Sequence, residues 1–225
     1  MPDPIYVKEA FARIADRYVM TNHVLSMGAD IWWRWVVTGR IKRLNPAKLL
    51  DVASGTGDLA LSIQDALPHA KVIATDFCAE MLEHASSRGV HKTLVADALD
   101  LPFPEGEFDV VTVAFGLRNM GDYERALKEM RRVLKPGGSL FILDFSLPKG
   151  VMRAPYRFYL HHILPKLAGF LTKQKDAYEY LAGSIEQFPS GEGMIALLEK
   201  SGFGEVTATP MTFGVVSVYE AVREG

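Results

Sequence analysis

The sequence predicts an α/β fold: an open, mostly parallel sheet with helices between its strands and an antiparallel hairpin towards the carboxyl end. Near-continuous apolar strands that alternate with helical segments are typical of a parallel sheet covered on both faces. Residues 205–222 read as two more strands joined by a short turn, and strands connected so tightly run antiparallel. The runs that predict the parallel part lie at 48–54, 71–76, 92–97, 108–115 and 139–146.

The segment before the fifth run has the clearest helical pattern. Asp122 is a suitable N-cap, and Pro-Gly-Gly at 136–138 is expected to end the helix. Its apolar stripe consists of Tyr123, Leu127, Met130 and Leu134. Residues 190–201 form a second helical segment, which leads into the hairpin.

Composition narrows the class of protein. The chain has 225 residues, 48% hydrophobic and 23% charged, which argues against a disordered chain. With 25 basic and 27 acidic residues the net charge is −2, so we expect no nucleic-acid partner. A single cysteine, Cys78, cannot form an internal disulfide and fits a reducing compartment. We expect a cytoplasmic protein without a secretory signal or a membrane-spanning segment.

Length predicts a single domain with additional segments. At roughly 150 residues per domain, residues 1–225 are too many for a minimal domain and too few for two. Residues 8–44 read as helices with large aromatic side chains, and residues 150–172 are apolar but broken by prolines. We expect 8–44 and 150–185 to be lid and substrate segments at the carboxyl edge of the sheet.

A glycine loop follows the first strand. Residues 51–58 read DVASGTGD and precede a helical segment, so Gly55, Thr56 and Gly57 lie at a strand-to-helix turn. Glycines there let a ligand approach the backbone, and the first N–H groups of the helix can face it. The same residues satisfy the dinucleotide pattern G-x-G-x-x-A, and they also suit a tight turn that only packs helix on strand.

Three acids end the first three strands. Asp76 follows Gly57 by 19 positions, where a carboxylate can accept both hydroxyls of a ribose. Asp97, followed by Ala98, could take the exocyclic amine of an adenine, and Asp51 could hold an ammonium. A pyrophosphate prefers helix N-terminal amides and basic groups. The acids therefore favour a cationic, phosphate-free nucleoside such as S-adenosylmethionine.

Four blocks in register carry a family resemblance. DVASGTGD, ATDFCAEML, ADALDLPFPEGEFDVV and RRVLKPGGSLFILDFS resemble the class I S-adenosylmethionine-dependent methyltransferases over about 100 residues. This resemblance implies a Rossmann-like sheet, with Asp76 on the ribose, the loop glycines facing the methionine part and residues 97–98 at the adenine. It also implies that Phe77 lies against the adenine ring, although an aromatic residue there could equally belong to the core.

Further motifs resemble the UbiE/COQ5/MenG quinone-biosynthesis C-methyltransferases. They are FGLRN at 115–119, HHILPKLAG at 161–169, YEYLAGSIEQFP at 178–189 and TFGVVSVY at 212–219. The chain departs from the family's usual residues at Val19, Asp30, Ala114, Asp144 and Tyr219. Ala114 stands where many members have a serine near the cofactor. The resemblance implies methylation of a polyprenyl hydroquinol, with demethylmenaquinol as the first expectation.

The family chemistry suggests roles for residues beyond the donor site. A hydroquinol carbon becomes nucleophilic when the adjacent hydroxyl loses its proton, so the developing phenolate needs a cation and a hydrogen bond. Arg118 and Asn119 are the candidates, and the alternative for Arg118 is a salt bridge that fixes the loop. His161 or His162 could be the base, and Tyr18 and Asn22 could line the ring pocket. A sulfonium methyl is already activated, and no metal is expected.

The substrate class implies contact with a membrane surface. Residues 150–172 carry aromatic side chains with Arg153, Arg157 and Lys166, so this segment could lie at the interface or, equally, bury its rings as a cap. A homodimer is also left open. The alternatives are a methyltransferase for another small phenol, a catalytically idle scaffold and a nicotinamide-dependent oxidoreductase.

Overall fold

The computed structural model describes residue 26 and residues 28–164 and 175–225 of the chain. Within these ranges one seven-stranded sheet carries helices on both faces. The strands are β1 (Lys48–Val52), β2 (Lys71–Asp76), β3 (Thr93–Val95), β4 (Phe108–Ala114), β5 (Leu134–Phe145), β6 (Phe203–Met211) and β7 (Val216–Arg223). The helices are α1 (Ala29–Leu44), α2 (Asp58–Ala66), α3 (Ala79–Ser87), α4 (Tyr123–Val133), α5 (Arg153–Phe158), α6 (Lys175–Gln187) and α7 (Glu192–Lys200).

Shorter helical turns complete the described chain. Single 3-10 turns occupy Leu117–Asn119, Gly150–Met152 and Thr212–Gly214. A π-helical turn at Tyr159–Ile163 continues α5. None of the helices in the described ranges is long and apolar enough to cross a lipid bilayer.

The sheet has the order β3-β2-β1-β4-β5-β7-β6. β1 to β5 are parallel, and β7 is antiparallel to both β5 and β6. The predicted mostly parallel sheet with an antiparallel hairpin is confirmed. The order reverses at β1, with β2 on one side and β4 on the other, which opens a crevice above the carboxyl ends of these strands.

The core has one layer on each face of the sheet. Leu50 of β1 packs with Leu127 and Met130 of α4 on one face, whereas its neighbour Leu49 packs with Val37 and Ile63 on the other. Because successive side chains of a strand point to opposite faces, a strand covered on both sides must be apolar throughout. Full burial of each such side chain contributes roughly 1.5–3 kcal/mol, and this requirement produces the apolar runs read from the sequence.

The boundary between α4 and β5 differs by one residue from the expectation. Asp122 caps α4 as predicted, its side chain accepting a hydrogen bond from the Arg125 backbone N at 3.0 Å. Leu134, predicted as the last residue of the helical stripe, is instead the first residue of β5 and pairs with Phe108. Pro136 disfavours helical geometry in the residue before it, so the chain is already extended here. The predicted burial of Leu134 is nevertheless correct.

The described parts of the two additional segments reach the carboxyl edge of the sheet. Trp33 of α1 packs against Phe115 and Phe145, which follow or end β4 and β5, and its Nε1 donates to Thr212 Oγ1 at 2.8 Å. In the other segment Tyr156, Leu160 and Leu164 pack with Ala182 and Ile185 of α6 and touch Phe145. Residues 8–25 and 165–174 of these segments lie outside the described residues.

Candidate active site

A cavity opens at the carboxyl ends of β1, β2 and β4 and the loop after β3. Most of the residues predicted to hold the donor meet there. The predicted residues that line the cavity are Asp51, Gly55, Thr56, Asp76, Phe77, Asp97, Ala98, Ala114 and Asn119. Gly57 and Arg118 are not among the lining residues. The cavity is also lined by residues that the sequence did not indicate, among them Arg34, Asp58, Met81, Phe115, Gly116 and Met120.

The floor of the cavity is a close contact between two loops. Ala53 after β1 and Phe115 after β4 both have left-handed backbones, with φ of 50° and 58°. Each such residue costs on the order of 1–3 kcal/mol. A Cβ on Gly116 would lie 2.6 Å from the Cβ of Ala53, so this position requires glycine if the loops are to approach. The surrounding fold thus holds a strained backbone at the carboxyl ends of both strands.

Asp51 is buried at the base of the cavity. Its Oδ2 accepts a hydrogen bond from Ser54 Oγ and its Oδ1 accepts one from Thr112 Oγ1, both at 2.5 Å. Burial raises the pKa of Asp51 to about 6, although the two hydroxyl hydrogen bonds and the charge of Arg34 oppose the shift. A carboxylate that is costly to ionise gains most from a cationic ligand, because the cation favours its charged form.

Asp76 ends β2 and connects the glycine loop to α3. Its Oδ2 accepts a hydrogen bond from Gly55 N at 2.8 Å and its Oδ1 accepts one from Cys78 N at 2.9 Å. Burial raises the pKa of Asp76 and the backbone donors counteract the rise. Each carboxylate oxygen can accept a second hydrogen bond, so both remain able to receive a ribose hydroxyl.

The third strand-end acid has a different environment. Asp97 is exposed at the rim of the cavity, and its Oδ1 accepts a hydrogen bond from Leu99 N at 2.9 Å. Phe77 and Ala98 line the same part of the wall and are partly buried. This exposed end of the cavity therefore offers a carboxylate, a ring and a small side chain for a planar base.

Gly57 has a packing function and is not among the residues that line the cavity. It is the N-cap of α2 with φ of 81°, and a Cβ there would lie 2.5 Å from Val90 Cγ2 and 3.1 Å from Ala85 Cβ. Only glycine lets α2 begin this close to α3 and the segment after it. The tight-turn alternative describes Gly57, whereas Gly55 and Thr56 line the cavity.

Arg118 forms the salt bridge that the sequence left as its alternative role. Its Nη1 donates to Asp144 Oδ1 at 2.8 Å and to the Phe115 carbonyl at 2.5 Å, and the guanidinium lies 5.2 Å from the centre of the Phe145 ring. Both charged groups are buried, with Arg118 5% and Asp144 0% exposed. The pair fixes the turn at Leu117–Asn119 to β5 and so places Asn119, which lines the cavity.

The histidines predicted as the base do not line the cavity in the described chain. His161 Nε2 lies 3.1 Å from Glu186 Oε1, and His162 packs against the ring of Phe158. Both histidines are exposed, so the prediction that one of them is the base is not supported by the geometry. Tyr18 and Asn22 lie outside the described residues. The described ranges contain no group of three His, Cys, Asp or Glu side chains arranged to hold a metal.

Three of the departures from the family pattern have structural partners. Asp30 Oδ2 accepts a 2.5 Å hydrogen bond from Arg34 Nη1, and Asp144 pairs with Arg118. The fully buried Tyr219 accepts, through its hydroxyl oxygen, a hydrogen bond from Gly191 N at 2.8 Å. These residues are therefore integrated into the fold. Val19, the fourth, lies outside the described residues, and Ala114, the fifth, lines the cavity.

Comparison with known proteins tests the family resemblance. A model of the ubiE/COQ5 methyltransferase family matches residues 3–223. The chain belongs to this family. Demethylmenaquinone methyltransferase of Thermus thermophilus is 44% identical over 219 residues, 95% of this chain and 99% of that protein. Ubiquinone/menaquinone biosynthesis C-methyltransferase UbiE of Bdellovibrio bacteriovorus is 39% identical over 228 residues, 97% and 96% of the two chains.

Solved structures share the fold of this ubiE/COQ5 family member. Phosphoethanolamine N-methyltransferase 2 of Haemonchus contortus, in complex with S-adenosyl-L-methionine, matches with a TM-score of 0.64 and 15% identity, over 96% of this chain and 60% of that one. The CurJ carbon methyltransferase matches with a TM-score of 0.60 and 18% identity, over 80% and 49%. The predicted class I methyltransferase fold is confirmed, and the nicotinamide-dependent alternative is wrong.

The cofactor of this ubiE/COQ5 family member is S-adenosylmethionine. The cavity fits it on structural grounds, because four carboxylates line it, those of Asp51, Asp58, Asp76 and Asp97. A ribose, an adenine amine and an α-ammonium all bring donors that carboxylates accept. S-Adenosylmethionine itself supplies a methyl group activated by a sulfonium.

Proposed function

We propose that this enzyme transfers the methyl group to a ring carbon of a polyprenyl hydroquinol, with demethylmenaquinol as its substrate. The main support for this proposal is the similarity to demethylmenaquinone methyltransferase of Thermus thermophilus, which extends over 99% of that protein. An enzyme that keeps the whole length of its relatives also keeps the segments beyond the donor site, where the acceptor must bind. A different small phenol is the second candidate, since the chain departs from the family at Ala114 in the cavity.

The donor is held by the strand-end residues in this proposal. Asp51 accepts the α-ammonium, Asp76 the ribose hydroxyls and Asp97 the adenine amine. Phe77 and Ala98 flank the base, while Gly55 and Thr56 present backbone to the methionine part and Ala114 lies beside the reacting methyl group. The cavity placement of these residues supports the assignment.

The acceptor ring is proposed to lie near Asn119. Asn119 lines the cavity, and its side-chain amide donates to the Phe115 carbonyl at 3.4 Å. Arg118, fixed by Asp144, precedes Asn119 in the same turn and brings a buried positive charge to this part of the site. Its Nε is buried without a hydrogen-bond partner in the described chain, which keeps its charge poorly compensated at this position. The two residues stabilise the phenolate that forms as the hydroxyl loses its proton.

The proposal extends to binding at a membrane surface from the cytoplasmic side. Val151, Phe158 and Phe213 are 89%, 59% and 82% exposed. The turn that carries Phe213 is adjacent to Pro148, because a Cβ on Gly214 would lie 3.3 Å from Pro148 Cα. Exposed apolar groups beside the exposed Arg153 and Arg157 suit an anionic lipid interface. A homodimer would bury the same face against a second copy.

The activity is tested by labelled methyl transfer from S-adenosylmethionine to two acceptors side by side. Reduced demethylmenaquinol is expected to be methylated faster than a methoxy-polyprenyl-benzoquinol. A preference for the benzoquinol would overturn the proposed substrate within quinone biosynthesis. Transfer to neither would favour a different small phenol as the acceptor.

The membrane surface is tested by sedimentation with anionic liposomes at low salt. Wild type is expected to sediment, and V151S/F158S is expected to remain in solution. Leu44→Ser is the matched control, because Leu44 is a large apolar residue that is 51% exposed at the last position of α1, outside the 148–158 segment. Equal sedimentation of all three proteins would contradict the assignment, and a concentration-dependent doubling of mass in light scattering would favour the dimer.

A further inference from the structure

The glycine loop at residues 51–58 contains two glycines with left-handed backbones. Gly55 has φ of 56° and Gly57 has φ of 81°. Glycine adopts positive and negative φ with similar ease, so a loop of this kind has several accessible backbone conformations. In one of them Gly55 and Thr56 line the cavity. Contacts from outside the loop are therefore needed to favour this conformation over the others.

The peptide group between Thr56 and Gly57 is held at both of its polar ends. Its N–H, on Gly57, donates to the Ser54 carbonyl at 2.9 Å inside the loop. Its carbonyl, on Thr56, accepts a hydrogen bond from Arg88 Nη1 at 2.7 Å. A hydrogen bond from a charged donor is roughly twice as strong as one between neutral groups. Arg88 thus supplies, from the end of α3, the outside half of this constraint.

The same guanidinium holds the start of α2. Arg88 Nη2 donates to Asp58 Oδ1 at 2.7 Å, and Asp58 Oδ2 accepts from Thr56 Oγ1 at 3.0 Å. Thr56 is therefore fixed through its carbonyl and through its hydroxyl, by two side chains that also pair with each other. Because a guanidinium is a rigid planar fork, it sets the distance between the carbonyl and the carboxylate that it bridges.

Arg88 reaches the loop from an anchored turn. It is the C-cap of α3, and the residues that follow it are tied to α2 by Gln64. Gln64 Nε2 donates to the Gly89 carbonyl at 3.1 Å, and Gln64 Oε1 accepts from His91 N at 3.0 Å. Gln64 is 8% exposed, so these hydrogen bonds are shielded from water. The turn and α2 are thus joined independently of Arg88.

We propose that Arg88 is a positioning residue of the donor site, whose guanidinium keeps the glycine loop in the conformation that receives the methionine part of the donor. Arg88 is not among the residues that line the cavity, and it acts through Thr56 and Asp58, which are. The proposal rests on the donor placement proposed above, in which Gly55 and Thr56 present backbone to the methionine part.

Removal of the Arg88 guanidinium lowers the fraction of protein whose loop is ready to bind. The apparent affinity of a ligand falls in proportion to that fraction. The loss concerns the part of the donor that the loop faces, and it spares the nucleoside part, which is placed against Asp76 and Asp97. The effect on global stability is small, because the Arg88 side chain is 34% exposed and an ion pair of this kind contributes little.

The test compares two ligands by calorimetry. One is S-adenosylhomocysteine, and the other is 5′-methylthioadenosine, which keeps the nucleoside and lacks the amino acid part. Arg88→Gln is expected to bind S-adenosylhomocysteine about tenfold more weakly than wild type, as for a binding-ready fraction of about one-tenth. It is expected to bind 5′-methylthioadenosine within about threefold of wild type.

Arg131→Gln is the matched control. Arg131 also bridges two separate groups, the carbonyls of Gly202 at 2.7 Å and Glu224 at 3.3 Å, outside the cavity lining. It is expected to bind both ligands as wild type does. Arg88→Lys retains the charge without the planar fork and is expected to lose a smaller part of the affinity for S-adenosylhomocysteine. This second variant keeps the test decisive where the glutamine variant does not fold.

Two results would overturn the positioning role. An equal loss of both ligands in the Arg88 variants would give Arg88 a general structural role only. Unchanged affinity for S-adenosylhomocysteine in either variant would show that the loop does not depend on the guanidinium fork. Failure of wild type to bind S-adenosylhomocysteine would instead contradict the donor placement itself, so the two failures are distinguishable.

Discussion

The ionisation of Asp51 is expected to control donor affinity between pH 5 and pH 7. Burial raises the pKa of this group to about 6 in the free protein. Binding of an ammonium requires the carboxylate, and only about one-tenth of Asp51 is ionised one unit below its pKa. The affinity for S-adenosylhomocysteine should therefore be about tenfold lower at pH 5 than its plateau above pH 7.

Calorimetry in buffers of constant ionic strength measures this profile. At pH 5 binding should also release close to one proton, which appears as a dependence of the heat on the ionisation enthalpy of the buffer. Asp51→Asn should bind more weakly at all pH values and show no such slope. Asp109→Asn is the control, because Asp109 pairs with Lys135 outside the cavity lining and should leave the slope unchanged. A flat wild-type profile from pH 5 to pH 7 would refute the reasoning.

The same shift has a consequence for the stability of the free protein. A carboxyl group whose pKa is higher in the folded state binds its proton more tightly there, so the free energy of unfolding falls as pH rises. This loss of stability begins near the ordinary carboxyl pKa of 3.8 and is complete once the pH is well above the folded-state pKa of about 6. Relative to Asp51→Asn, wild type should lose about 1–2 kcal/mol between pH 5 and pH 8. Urea unfolding at the two pH values measures the difference, and a gain in stability would contradict the sign.

Three further predictions concern the other site residues. Asp76→Ala should abolish S-adenosylhomocysteine binding in calorimetry, and unchanged affinity would remove Asp76 from the donor site. Asp144→Ala should lower the free energy of unfolding by about 3–5 kcal/mol, because Arg118 keeps a buried charge without its partner; in urea unfolding R118M/D144L should recover most of this loss, whereas failure to recover would point to a cause other than charge. Asn119→Ala should lower kcat by roughly 10- to 100-fold with donor affinity within threefold, and a loss confined to donor affinity would assign Asn119 to the donor site.

The sequence identified those features that depend on chain order alone. The strands follow from apolar runs that both faces of the sheet require, and Asp51, Asp76 and Asp97 follow from their positions at strand ends. Parallel strands bring these ends to one edge, so no further information is needed to place the acids together. Spacing alone cannot reveal that a side chain on Gly57 would collide with Val90, because that contact joins segments distant in the chain.

The residues missed by the sequence depend on contacts between distant segments. Arg34 reaches the cavity from a helix whose sequence pattern contains no strand-end signal, and only its spacing of four from Asp30 hinted at a fixed arginine. The pairing of Arg118 with Asp144 joins residues 26 positions apart on different elements. From the sequence, Arg118 could be either a catalytic cation or half of a salt bridge. The positive charge alone does not reveal which acidic group lies within hydrogen-bond distance.

The position of β7 within the sheet constrains the order of synthesis and folding. β7 lies between β5 and β6, although it follows both in the chain. Until residues 216–223 have been synthesised, the edge of β5 that later pairs with β7 is unpaired. β6 then has no neighbouring strand, because β7 is its neighbour in the sheet. Exposed strand edges of this kind can pair with other chains. We therefore expect a chain truncated before β7 to aggregate more readily than the full chain.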